Sequence, residues 1–489
     1  MLDQTATPLL EALQTASMRS HTPFYAPGHK QGRGMSQKLV SLLGASVFQA
    51  DLPELPDLDN LFSPTGVIQK AQQLAAAAFG ADRTWFLVNG STCGVIAAIV
   101  ATCGMGEKII LPRNSHQSAI AGLVLSGAIP IFITPESDSS GDLAHSITPA
   151  AVAETLKQHP DAQAVMLLYP TYHGVCGDIR VIAQLVHQYH IPLLVDEAHA
   201  PHFAFHPDFP PSALSAGADL TVQSTHKVLG AMTQASMLHI QGNRIDPQRL
   251  SKALQLVEST SPNYLLLASL DAARQQMALH GEQLMTQTLQ LADNARTKIS
   301  QIPGLSVLEL TNTPGFCALD PTRLTVKVSR LGLSGFEVDE IFHQKLGVTA
   351  ELPTLQHLTF IISLGNTATD IQQLVQAFTT ITQNYNRSNS VNYFSSIEQK
   401  HNTKLPGTNS VLSPRDAFFA PTETLPIHQT PGRIVAELVC PYPPGIPALI
   451  PGEAINSTTL EFLQQVLTLG GNITGCSDPS LETLKVVSC

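Results

Sequence analysis

Short apolar runs alternate with helical stretches from residue 67 to residue 240, and this alternation constrains the fold more than any other feature of the sequence. Strands are predicted near 84–88, 107–111, 129–134, 164–168, 191–195, 219–223 and 235–240, and helices near 67–79, 93–103, 115–126, 149–158 and 178–190. The pattern predicts a mainly parallel sheet with helices on both faces, a three-layer α/β domain. Open sheets of this class bind ligands at the carboxyl ends of their strands.

The remaining sequence predicts further modules around this domain. A chain of 489 residues has room for roughly two to four domains. Residues 1–60 are polar and rich in proline, which predicts an arm with one short helix near 7–18. The large domain is then 61–260, a long helix at 264–296 begins a smaller α/β domain over 261–384, a polar linker covers 385–410, and a C-terminal α+β module covers 411–489.

Composition restricts the partners and the compartment. The formal net charge is −11 and no basic run is present, so nucleic acid would lack an electrostatic attraction and is not expected as a partner. The N-terminus lacks a signal-peptide pattern, and no stretch of 18 apolar residues predicts a membrane span. Seven cysteines without paired spacing are a poor disulfide framework, which favours a reducing cytoplasm.

Lys227 directly follows a predicted strand, in the segment Ser224-Thr225-His226-Lys227. A lysine leaving the carboxyl end of a strand lies in the ligand crevice, where its amine can form an imine with a carbonyl cofactor. Ser224 and His226 can donate to a phosphate on that cofactor. Taken alone, a segment of this kind more often contains a solvated lysine than a cofactor site.

Four other residues suit the same cofactor. Asp196 ends a predicted strand, where a carboxylate can keep a pyridine nitrogen protonated or simply cap a turn. Ser91 and Thr92 lie between a strand and a helix, a position that favours either phosphate binding or a helix N-cap. His116 opens the next helix and can stack on a planar ring, although surface histidines are common.

The string Asp196 to His202, DEAHAPH, allows two other interpretations. It resembles the DEAH box of helicases, but the chain has no G-x-x-x-x-G-K-[ST] phosphate loop, which excludes that reading. A metal site is not expected either, because Pro201 breaks the helical presentation of the two histidines and no second Cys/His group has ligand spacing.

Together these residues resemble the Orn/Lys/Arg decarboxylase family, pyridoxal-phosphate enzymes of fold type I in the aspartate aminotransferase superfamily. The resemblance runs from about residue 20 to residue 453. Its co-linear motifs are PFYAPGHKQG at 23–32, DLPELPDLDNL at 51–61, NGST at 89–92, RNSH at 113–116, YPTY at 169–172, DEAH at 196–199, STHK at 224–227, STSPNY at 259–264, and PYPPGIP at 441–447 with Pro451-Gly452-Glu453.

The resemblance implies a role for each matching residue. It makes Lys227 the Schiff-base lysine of pyridoxal 5'-phosphate, Asp196 the partner of the pyridine nitrogen, and His116 the stacking group. The implied cofactor-binding set also contains Ser91, Thr92, Ala198, Ser224, His226, Ser259 and Thr260, and the implied catalytic set adds His199. Because the 259–260 segment resembles one that reaches the neighbouring subunit's phosphate, a homodimer or higher homo-oligomer is expected.

The implied reaction is decarboxylation of lysine, arginine or ornithine to the amine and carbon dioxide, as in polyamine biosynthesis. Glu351 is the candidate for binding the distal cation of the substrate. An aminotransferase is the alternative, with Arg323 or Arg330 gripping the α-carboxylate, and a non-catalytic cofactor-binding protein is a weaker alternative because both Lys227 and Asp196 are present.

The sequence departs from the family's commoner pattern at Gln117, His173 and Ala200-Pro201. These departures are expected at the rim of the site, so they concern the identity of the substrate rather than use of the cofactor. The chain also begins almost directly at the arm, so a short form without an N-terminal wing domain is expected.

Overall fold

The computed structural model describes residues 2–138, 142–385, 410–442 and 444–488. Its α-helices are α1 Pro8–Ser17, α2 Gln37–Leu43, α3 Ala45–Ala50, α4 Val67–Phe79, α5 Gly90–Thr102, α6 Gln117–Ser126, α7 Pro149–Gln158, α8 Ile179–Gln188, α9 Thr225–Val228, α10 Pro247–Val257, α11 Tyr264–Ser300, α12 Gly335–Ile341, α13 Ala368–Tyr385, α14 Pro414–Phe419 and α15 Ser457–Thr468. Among these residues, no helix has both the length and the apolar character needed to cross a membrane.

The strands are β1 Arg83–Leu87, β2 Lys108–Pro112, β3 Ile129–Ile133, β4 Ala164–Leu168, β5 Val175–Cys176, β6 Leu193–Asp196, β7 Leu220–Gln223, β8 Ser236–Ile240, β9 Ser306–Val307, β10 Ala318–Leu319, β11 Arg323–Lys327, β12 Leu352–Pro353, β13 His357–Ile361, β14 Thr422–Pro426, β15 Cys440–Tyr442, β16 Asn472–Thr474 and β17 Thr483–Val487. The chain forms two compact units, one of residues 1–101 with 194–285 and one of residues 102–193 with 286–489.

The first unit contains the strands β1, β8, β7 and β6 in that order. β6 and β7 are parallel, whereas β8 runs antiparallel to both of its neighbours. Every residue of β6, β7 and β8 is buried, as expected for strands covered on both faces. The parallel pair brings the carboxyl ends of β6 and β7 side by side, and these ends carry Asp196 and Ser224.

The second unit contains a parallel group in which β2 lies between β3 and β4. It also contains an antiparallel sheet in the order β12-β13-β11-β9, packed on a core that includes Phe342, Phe360 and Phe378. A further apolar cluster contains Val439 and Leu463, and the pairs β14–β17 and β15–β16 lie in the same C-terminal part of the chain.

The predicted strands and helices between 67 and 240 agree with the structure to within a few residues. The prediction of a single helix in the N-terminal arm is wrong, because α2 and α3 follow α1 there. Both are one to two turns long, too short to show a clear period, and α2 buries no residue at all. The predicted linker 385–410 lies outside the described residues except for its two end residues, and the domain boundaries stay a prediction.

Candidate active site

Lys227 lies in α9, the single helical turn that follows β7. Its side chain is partly exposed, so the amine is accessible to a ligand. The Nζ atom lies 3.0 Å from His199 Nε2, and His199 itself is buried just beyond the end of β6. Since a neutral imidazole nitrogen can accept a proton from an amine or return it, the two side chains form a pair suited to proton transfer at Nζ.

Asp196 occupies the last position of β6 and is buried. Burial raises the pKa of its carboxyl, and the positive charge of Lys227 and a hydrogen bond from the Ala198 amide act in the opposite direction. That amide donates to Asp196 Oδ1 over 3.2 Å. Among the residues that the structure describes, no arginine or lysine forms a hydrogen bond with this carboxyl, so its charge is available to a cationic group of a ligand, such as a protonated pyridine nitrogen.

Hydroxyl groups from two separate motifs meet beside Lys227. Ser224 Oγ donates to Ser91 Oγ over 2.6 Å, although 133 positions separate the two residues. Ser91 and Thr92 lie in the first turn of α5, which begins at Gly90 with a positive φ of 77°. Free backbone amides and the positive end of the helix dipole at this turn favour a phosphate, so this set of donors fits the phosphate group of pyridoxal phosphate.

His226, Ser259 and Thr260 are placed differently from these hydroxyls. The Nδ1–H of His226 donates to the Ala235 carbonyl oxygen over 3.0 Å. Ser259 and Thr260 are exposed, and Thr260 lines a cavity of about 320 Å³ together with Pro27 and Asp51. A segment that contacts another molecule must be exposed, as Ser259 and Thr260 are. Their predicted contact with the phosphate of a neighbouring subunit stays a prediction.

His116 and Glu351 belong to the second unit. His116 Nδ1 accepts from the Ser118 amide, and the Gln117 amide donates to the Gly445 carbonyl oxygen over 3.1 Å. Gly445 has a φ of 88°, and a Cβ there would approach His116 Nε2 to 3.4 Å, so glycine suits this position. Motif PYPPGIP is therefore in contact with motif RNSH.

Glu351 is exposed and lines a cleft of about 420 Å³ with Asp339, Glu340 and Tyr442. Three carboxyl groups and an aromatic ring in one cleft would suit an organic cation. The predicted role of Glu351 in binding the substrate stays a prediction.

The departures from the family pattern are not all at the protein surface. His173 is buried, and its Nδ1 lies 2.9 Å from Thr359 Oγ1. Burial lowers its pKa to about 4, so it is neutral at physiological pH. Ala200 is also buried. His173 and Ala200 therefore lie in the protein interior, where they contact other protein groups and not solvent.

A buried chain of hydrogen bonds next to Asp196 is absent from the sequence predictions. Glu197 accepts from the Ala213 amide over 2.7 Å and from Gln223 Nε2 over 2.8 Å. His239 Nε2 donates to Gln223 Oε1 over 3.2 Å, and Thr84 Oγ1 lies 2.7 Å from His239 Nδ1. The chain therefore crosses β1, β8 and β7 and ends at the residue after Asp196.

Burial raises the pKa of Glu197 to about 8, and burial lowers the pKa of His239 to about 3. This series of hydrogen-bonded side chains is thus close to electrically neutral at pH 7. The available signal in the sequence was the presence of Gln223 and His239 inside apolar strands, because buried polar side chains require partners.

Comparison with known proteins shows which family the chain resembles. Residues 7–316 match the family model "Orn/Lys/Arg decarboxylase, major domain", and residues 399–477 match "Orn/Lys/Arg decarboxylase, C-terminal domain". The arginine decarboxylase of Bacillus subtilis strain 168 is 38% identical over 489 residues, covering 99% of each chain. The lysine decarboxylase LdcA of Pseudomonas aeruginosa is 25% identical and covers 93% of this chain and 75% of that protein.

Among solved structures, the lysine decarboxylase LdcF of Francisella novicida superposes with a TM-score of 0.85 at 21% identity, over 99% of this chain and 81% of that one. This likeness confirms the predicted fold class, a mostly parallel sheet with helices, together with a smaller domain and a C-terminal domain.

Proposed function

Because the chain belongs to the Orn/Lys/Arg decarboxylase family, we propose that it decarboxylates L-arginine to agmatine and carbon dioxide. Family membership confirms the predicted class, a pyridoxal-phosphate-dependent amino-acid decarboxylase, and favours it over the aminotransferase alternative. Arginine is the finer part of the proposal. Its main support is the full-length similarity to an arginine decarboxylase, at a higher identity and over a larger share of the relative than the lysine decarboxylase gives.

The site residues of the first unit have distinct roles in the proposed reaction. Lys227 would hold the cofactor covalently, and the hydroxyls of Ser91 and Ser224 would hold its phosphate. Pyridoxal phosphate, when bound, supplies an electron sink for the pair left on Cα when carbon dioxide departs. The negative charge of Asp196 favours a protonated ring nitrogen, and His199, 3.0 Å from Nζ, can take a proton from Lys227 or return it. His116 keeps its proposed role of stacking on the ring.

The test of the substrate is a carbon dioxide release assay of purified protein with arginine, lysine, ornithine and leucine, without a keto acid. We expect kcat/KM for arginine to exceed that for lysine by about tenfold or more, because a guanidinium and an ammonium need different hydrogen-bond partners. A higher value for lysine or ornithine would contradict arginine as the substrate. Dependence on a keto acid would contradict decarboxylation itself.

We propose that Glu351 binds the distal cation, with Asp339 and Glu340 adding negative charge to the same cleft. Glu351→Gln should raise KM for arginine about tenfold while changing kcat less, since it removes one charged contact. Glu154→Gln, a matched change at an exposed position of α7, is the control. An unchanged KM in Glu351→Gln would remove this residue from the substrate site.

We also propose a homodimer in which Ser259 or Thr260 of one subunit reaches the phosphate held by the other. The exposure of both side chains supports this arrangement. Mixing inactive Lys227→Ala with an inactive Thr260 variant should restore partial activity after subunit exchange, because one of the two sites then carries neither change. Demonstrated heterodimers without activity would mean that each site is built within one chain. A cytoplasmic location and a role of agmatine in polyamine synthesis complete the proposal.

A further inference from the structure

Glu258 has a buried carboxyl group next to residues 89–92, the segment proposed to bind the cofactor phosphate within the same subunit. Its side chain is 8% exposed, and it directly precedes Ser259 and Thr260. Oε1 accepts the backbone amide of Val88 over 3.0 Å, at the point where β1 ends and the segment Asn89 to Thr92 begins. Glu258 thus joins the 258–260 segment to the phosphate-binding segment within one subunit.

A second contact connects Glu258 to the first turn of α5. Cys93 lies close enough to Glu258 for each group to raise or lower the pKa of the other, and the Cys93 thiol donates to the Gly90 carbonyl oxygen over 3.0 Å. If Glu258 is a carboxylic acid, its O–H can donate to Cys93 Sγ while its other oxygen accepts from Val88. In that state the Glu258 carboxyl and the Cys93 thiol can each donate one hydrogen bond and accept another.

A carboxylate at this place would face an electrostatic conflict. Burial raises the pKa of Glu258 to about 7, and the amides of Val88 and Asn89 and the Cys93 thiol lower it only in part. Burial also raises the pKa of Cys93, so the thiol that faces Glu258 stays neutral. Glu258 follows the last residue of α10, and the charged residues of that helix, Arg249 and Lys252, are exposed to solvent. A phosphate dianion bound nearby would add a like charge, which disfavours ionised Glu258 further.

We propose that Glu258 is a positioning residue for the phosphate-binding segment and that it is held as the neutral acid whenever a phosphate dianion is bound there. This inference rests on the proposed function, since it assumes a phosphorylated cofactor at Ser91, Thr92 and Ser224. Its consequence is that cofactor binding takes up a proton at any pH where Glu258 is ionised in the free protein.

Calorimetric titration with 4'-deoxypyridoxine 5'-phosphate tests the proposal, because this ligand carries the phosphate but cannot react with Lys227. Titrations in buffers of different ionisation enthalpy give the number of protons taken up. At about pH 8 the wild type should take up close to one proton more than Glu258→Gln, and its affinity should fall by up to about tenfold per pH unit relative to that variant. Glu154→Gln is the control and should behave as the wild type does.

The outcomes separate the proposal from the assignment of the cofactor. Equal proton uptake in the wild type and in Glu258→Gln would overturn the role of Glu258, as would the same excess with 4'-deoxypyridoxine, which lacks the phosphate. Wild-type binding without proton uptake would overturn it even if Glu258→Gln fails to fold. Failure of the wild type to bind the phosphorylated ligand at any pH would instead contradict the proposed cofactor site.

Discussion

Asp196 and Asp142 both have buried carboxyl groups, yet their surroundings shift their pKa values in opposite directions. Asp142, in the second unit, lies 2.6 Å from His357 Nδ1 and accepts from Thr354 Oγ1 over 2.6 Å and from the Gln356 amide over 3.0 Å. These contacts lower its pKa despite burial. Asp196 accepts from the Ala198 amide and lies near the charge of Lys227, and burial raises its pKa.

The difference separates a structural carboxylate from one reserved for a ligand. Asp142 uses its oxygens on partners that the fold already supplies, so its charge stabilises the folded chain. Asp196 retains hydrogen-bonding capacity, and its neighbour Glu197 is close to neutral at pH 7. An under-partnered buried carboxyl beside a lysine is therefore the better indicator of chemistry than burial alone.

Removal of the Lys227 amine, which lies beside Asp196, should have the largest effect on activity. Lys227→Ala should lower kcat by about 10⁴-fold or more, since it removes both the covalent attachment and the group that exchanges a proton with His199. Loss of the cofactor's imine absorbance and of a borohydride-reducible adduct are the accompanying measurements. An adduct that persists in this variant would show that another residue holds the cofactor.

Neutralising Asp196 tests whether its charge is reserved for the ligand. Asp196→Asn should still bind the cofactor but lower kcat by about 10³-fold, because the ring nitrogen loses the charge that favours its protonation. Urea unfolding of the protein without cofactor should change little, in contrast to the effect expected at Asp142. Near-normal turnover would assign Asp196 to structure instead.

Asp142→Asn should affect stability rather than chemistry. The free energy of unfolding should fall by about 3 kcal/mol, because the change removes a buried charged acceptor from hydrogen bonds with Thr354, Gln356 and His357. The folded-state pKa of Asp142 is lowered, so the wild-type advantage is present above the unfolded pKa near 3.8 and is lost as the pH falls through the folded value. Urea titrations across acid pH measure this loss, with Asp161→Asn at the surface as the control. A wild-type advantage that grows on acidification would contradict the assignment.

Glu197→Gln should give the smallest effect over the interval from pH 7 to pH 9, and the difference between the two proteins should already develop at lower pH, from about 4.5 upward. The folded-state pKa of about 8 lies above the usual glutamate value of about 4.5, so the contribution of Glu197 is fully present below about pH 4.5 and is lost progressively as the pH rises from there through about 8. Between about pH 7 and pH 9, the wild type should lose about 1 kcal/mol of unfolding free energy more than the variant does. Parallel pH profiles for the two proteins would show that Glu197 does not titrate in this range.

The positions of Lys227 and Asp196 could be predicted because each follows a short apolar run, and strand ends in an α/β sheet are ligand sites. The partners of Glu197 could not, because they depend on the strand order β1-β8-β7-β6, which brings Thr84 to His239 across 155 positions. The contacts of Asp142 with residues 354–357 likewise join positions more than 200 apart. Such pairings follow from tertiary structure, and local periodicity carries no record of them.

The first unit is made from two stretches of chain that are interrupted by residues 102–193. β1, which leads into the phosphate-binding segment, pairs with β8 and so remains without that partner until the ribosome has synthesised residue 240. During that interval the nascent chain presents an apolar strand with an unpaired edge, which is prone to aggregation. The order of synthesis therefore makes the phosphate-binding segment one of the first parts of the site to be translated and one of the last to be fixed in place.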